Sequence, residues 1–89
     1  MANNLDLALP TIPEGEYPRK HLHDPYSSAF RDLCKATNSL RAAAPRPCHY
    51  RDQGEEAFIR ACTEHARRVH RLDTIREEIH FICNYLPYQ

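Results

Sequence analysis

Only two glycines, Gly15 and Gly54, occur among the 89 residues of this chain. A phosphate-cradling loop or a dinucleotide fingerprint needs several glycines within a few positions, so both are excluded. No stretch approaches the roughly 18 consecutive apolar residues of a membrane span. Neither a Gly-x-Ser-x-Gly nor a His-Glu-x-x-His motif is present. Glu77, Glu78 and His80 are near one another in sequence, but on a helix adjacent positions diverge and no pocket-forming scaffold accompanies them. The expectation is a protein without catalysis, cofactor or small-molecule substrate. Lysine is scarce as well, with two against ten arginines. Arginine is favoured at interfaces for its planar, weakly hydrated fork, although a GC-rich coding sequence gives the same excess. Twelve basic side chains balance twelve acidic ones. A net charge of zero is not the mark of a protein whose main task is gripping nucleic acid or an anionic membrane.

What is present is a heptad seam. Phe58, Cys62, His65, Val69, Leu72, Arg76, Ile79, Cys83 and Leu86 follow one another at alternating steps of four and three, and no proline falls between Pro47 and Pro87. This predicts a helix over about residues 53–85, roughly 50 Å long. Asp52 and Glu55 form a capping-box pattern at its start. A shorter helix is expected over about residues 25–43, capped by Asp24 and with Pro25 in the first helical position. Tyr26, Phe30, Leu33, Thr37 and Leu40 form its apolar stripe, and Pro45 ends it. The fold class expected is all-α: an antiparallel helical hairpin (residues 24–86) with a short first helix, a tight turn and a long second helix. Residues 87–89 are a short tail.

Residues 1–23 hold three prolines and little helical periodicity, so they read as an extended arm. Leu5, Leu7 and Leu9 alternate with Asp6 and Ala8, which puts one apolar edge on a strand that can dock on the chain's own helices or on a partner. This five-residue pattern resembles the leucine-alternating motif by which some plant transcriptional repressors recruit corepressors.

With a tight turn, the first helix reaches only the near half of the second. Beyond about Leu72 the long helix then has no intrachain neighbour, unless the arm folds back over it. That far half is the most apolar. Val69, Leu72, Ile75, Ile79, Ile82 and Leu86 are therefore the expected partner interface, each fully buried aliphatic being worth about 1.5–3 kcal/mol. The function expected is a small helical interaction subunit, either an adaptor or assembly component or a homo-oligomer. Two hairpins closing a four-helix coiled-coil bundle is the simplest form.

Two alternatives rest on other residues. Cys34 and Cys62 are equidistant from Cys48 in the turn, which places them at one level of a tight hairpin. A disulfide there would stabilise by roughly 3–4 kcal/mol, and reduced packing is its rival. The layout resembles the twin-cysteine proteins of the mitochondrial intermembrane space, but those carry two cysteines on each helix and the first helix here has only Cys34. The second alternative is a nucleic-acid accessory role for the basic cluster Arg60, Arg67, Arg68 and Arg71. Interleaved Glu56 and Glu64 favour ordinary i,i+4 pairing instead. Cys62 with His65, and His80 with Cys83, are spaced like half-sites for zinc, but about 27 Å separates the pairs along one helix, and no metal is expected. The first residues lack the basic start and apolar run of a signal peptide. The location expected is therefore cytoplasmic or nuclear, with the intermembrane space as alternative.

Overall fold

The computed structural model describes residues 5–10 and 20–85, with the side chains of the second stretch described from residue 23. The architecture is all-α and consists of helix α1 (Lys20–Ala42), a 3₁₀ turn (Pro47–Tyr50) and helix α2 (Glu55–Tyr85). α1 and α2 pack against each other as a helical hairpin.

α1 begins four residues before the expected cap, so Pro25 lies inside the helix rather than at its first position. An internal proline removes one i→i−4 bond. The packing of the following stripe offsets that loss. Tyr26, Phe30, Leu33 and Leu40 are half-buried, and Thr37 is the one fully buried side chain among the described residues. Its hydroxyl donates to the Leu33 carbonyl at 2.8 Å, so the buried oxygen is satisfied within its own helix.

The start of α2 also differs from the capping-box expectation. Gly54, not Asp52, precedes the helix, with φ at 99°. Side chains rarely adopt that left-handed geometry, and glycine does so at no steric cost. The Gly54 amide donates to the Tyr50 carbonyl at 3.0 Å, and the Phe58 amide donates to the Gly54 carbonyl at 3.4 Å. One residue thus closes the 3₁₀ turn and opens the helix.

The main correction concerns register. Phe30 of α1 stacks on His80 of α2, ring centroids 4.6 Å apart and planes 19° from parallel. Arg41 donates to both carboxylate oxygens of Asp73, at 3.2 and 2.9 Å. α1 therefore lies against the far half of α2, where no neighbour was expected. The connector, instead of turning tightly, runs back along the near half of α2. Tyr50 meets Phe58 with ring centroids 6.2 Å apart. Ala44 and Arg46 border one cleft together with Ala61 and His65. All eight seam residues from Phe58 to Cys83 are half-buried as a result.

The physical reason is the distribution of apolar side chains. The alanines before Pro45 offer little to cover, and they are exposed. The stripe from Tyr26 to Leu40 gains more by meeting Leu72 and Ile79, at about 1.5–3 kcal/mol for each such side chain fully buried.

Two packed helices make a single layer. The chain measures 63 × 22 × 13 Å with a radius of gyration of 18.7 Å, where a compact chain of this length has about 12 Å. Its exposed area is 6917 Å² for 10.4 kDa, against about 5400 Å² for a compact monomer of that mass.

In the arm, the strand expected over Leu5–Leu9 is interrupted. Leu5 lies in a turn and Asp6 has φ 53°, in the left-handed region. Leu7 and Leu9 are half-buried, whereas Leu5 is exposed.

Candidate interaction surface

The six residues expected to form a partner interface do not share one environment. Val69, Leu72 and Ile79 are half-buried in the seam, at the level of α1 and the start of the connector. They are already engaged within the chain, which corrects the expectation that their half of α2 is uncovered. Ile75 lies roughly a quarter-turn from the seam centre and is 45% exposed. Ile82 shares that flank and is half-buried. Leu86 lies outside the described residues. On the opposite flank Ile59 is 55% exposed, a position that the seam pattern did not single out. Its signal was an isolated apolar residue beside Phe58, which periodicity alone assigns to solvent.

Charges reinforce the observed register. Asp73 accepts from Arg41 across the helix pair and is 3.2 Å from Arg76 one turn on, its own side chain 24% exposed. That three-membered group links the two helices at the level of Arg41 and Asp73. Arg60, part of the expected basic cluster, is committed to Glu64 at 3.3 Å in an exposed i,i+4 pair. Arg67, Arg68 and Arg71 are exposed and make no ion pair among the described residues. Arg67 and Arg71, with Thr63, Ala66 and His70, border a shallow depression of about 520 Å³ on the outer side of α2.

The Cys34–Cys62 disulfide raised as an alternative is not formed, and both thiols are free. Cys34 lies one turn beyond Phe30, so its level on α2 is near Arg76. Cys62 is fourteen residues earlier, about 20 Å along the helix. The reversal point on which the pairing rested is displaced by the connector. Cys83 is half-buried, and burial pushes its thiol up, which keeps it protonated and a poor nucleophile. Cys48 is exposed in the 3₁₀ turn.

One concave site was not anticipated from the sequence. Ala44, Arg46 and His49 of the connector face Ala61, His65 and Arg68 of α2 across a cleft of about 460 Å³. Tyr50 and Glu64 complete its polar lining. The Nε2 atom of His65 is buried and makes no hydrogen bond. The cleft exists because the connector follows α2 without filling the groove beside it, and no local pattern encodes that path.

Among the described residues, no three or more His, Cys, Asp or Glu side chains are grouped so that they can hold a metal ion. No described helix is long and apolar enough to cross a membrane. No protein-family model matches the chain, and no curated protein or solved structure matches it significantly.

Proposed function

We propose that the chain acts without catalysis as a small helical interaction subunit, an adaptor or assembly component that completes a bundle by association. The observation that carries this reading is the thinness of the hairpin. A layer of 13 Å, with Thr37 the one fully buried side chain among the described residues, leaves the seam half-covered along its length. Single-layer architectures reach stability by packing a second layer on the apolar face. Ile75, 45% exposed, extends the apolar stripe beyond what α1 covers, which supports that flank as the face for a second layer.

The register decides which variant tests the proposal. A charge at Ile79 disrupts the hairpin itself and says nothing about partners. Ile75→Asp alters the exposed flank and leaves the intrachain seam intact. Size-exclusion chromatography with light scattering on the full chain, and affinity capture from native extract, read the outcome. The expected result is loss of the associated species or captured partner, with helical circular dichroism retained. Unchanged association by Ile75→Asp, or a wild-type chain that is monomeric and captures nothing, overturns the reading.

A further inference from the structure

The cleft between connector and α2 has the composition of an anion site. Arg46 on one wall and Arg68 on the other are both exposed and make no ion pair or side-chain hydrogen bond among the described residues. They come from separate segments, and the path of the connector brings them to one cavity. His65 also borders the cleft, but its unpartnered Nε2 is sealed from solvent and so is not a contact the cleft offers. The one carboxylate in the lining, Glu64, is 44% exposed and pairs with Arg60 at 3.3 Å, and the two cleft arginines outnumber it.

We propose that this cleft binds a single phosphate group borne by a small molecule, clamped between Arg46 and Arg68. A guanidinium fork pairs bidentately with phosphate oxygens. A tetrahedral dianion presents oxygens to two walls at once and brings twice the charge of a carboxylate. The volume of about 460 Å³ is that of a small-ligand pocket. This inference is independent of the association proposed above, since the cleft and the Ile75 flank are on different parts of α2.

The test is titration of the full chain with inorganic phosphate, followed by amide and imidazole NMR shifts. Saturable shifts confined to the connector and to residues 61–68 are expected. Arg46→Gln and Arg68→Gln should each weaken binding by about tenfold, the worth of one charge-assisted contact. Ala61→Leu should abolish binding by filling the cleft, with helical content retained. Arg71→Gln removes the same charge outside the cleft and should change affinity by less than about twofold. Non-saturable shifts overturn the proposal, as does equal loss from Arg71→Gln and Arg68→Gln. A short single-stranded oligonucleotide that binds far more tightly than phosphate and depends on Arg67 and Arg71 also overturns it, in favour of a nucleic-acid surface.

Discussion

The two halves of α2 carry one continuous seam but are covered by different kinds of structure. From Val69 to Cys83 the cover is mainly a helix. It supplies the Phe30–His80 stack, the fully buried Thr37 and the Arg41–Asp73 pair. From Phe58 to His65 the cover is a connector with a single 3₁₀ turn, which supplies Tyr50 and leaves a polar cleft. A helix presents a side chain to its neighbour at every three or four residues, whereas an irregular segment does so only where its path permits. The far half is therefore where this hairpin holds its stability, and the near half is where it leaves room. Sites that bind tend to be drawn from the less tightly packed part of a fold.

This contrast predicts a graded response to substitution. The largest effect is expected from Ile79→Asp, which puts a carboxylate into the helix–helix seam. An unpaired charge there costs several kcal/mol, a large share of the stability available to so thin a fold. Loss of cooperative thermal unfolding by circular dichroism is the expected outcome. A cooperative melt close to wild type would mean that α1 does not clasp the far half. Phe58→Ala should cost less, about 1–2 kcal/mol, because the ring is only half-buried against Tyr50. Hydrogen exchange should then accelerate over residues 55–65 and stay slow over residues 72–83. Uniform acceleration would show that the two halves unfold as one.

How far the sequence foretells this structure depends on the range of the interaction. The stripe from Tyr26 to Leu40 and the seam from Phe58 to Cys83 are local periodicities, and each turns its predicted face inward. The two helices, their order and their antiparallel sense follow from the same signals. Register does not, because it depends on the path of residues 43–54, where no repeat operates. Placing the reversal at the turn made Cys34 level with Cys62 and left the chain beyond Leu72 uncovered. The connector's course along α2 undoes both inferences at once. The Arg46–His65–Arg68 cleft escaped notice for the same reason, since its walls become neighbours only in the observed register.

Electrostatics give the finer gradations. Asp73→Asn removes the acceptor shared by Arg41 and Arg76, and Arg41 is 48% exposed, so solvent discounts the pair. A loss of about 1 kcal/mol is expected in urea unfolding at low salt. The difference should shrink in 1 M salt, where the screening length falls to about 3 Å. An undiminished loss would assign the effect to packing.

Glu64→Ala should have the smallest effect, within about 0.5 kcal/mol, because Arg60 in its i,i+4 pair is 83% exposed. Alanine is also the better helix former, which offsets part of the lost pairing. The value of this substitution is as a counterpart to Asp73→Asn. Both remove one carboxylate from α2, but Asp73 joins the two helices and Glu64 joins only neighbours on one. Comparable losses for the two would deny Arg41–Asp73 any part in setting the register and leave the apolar stripes to set it alone.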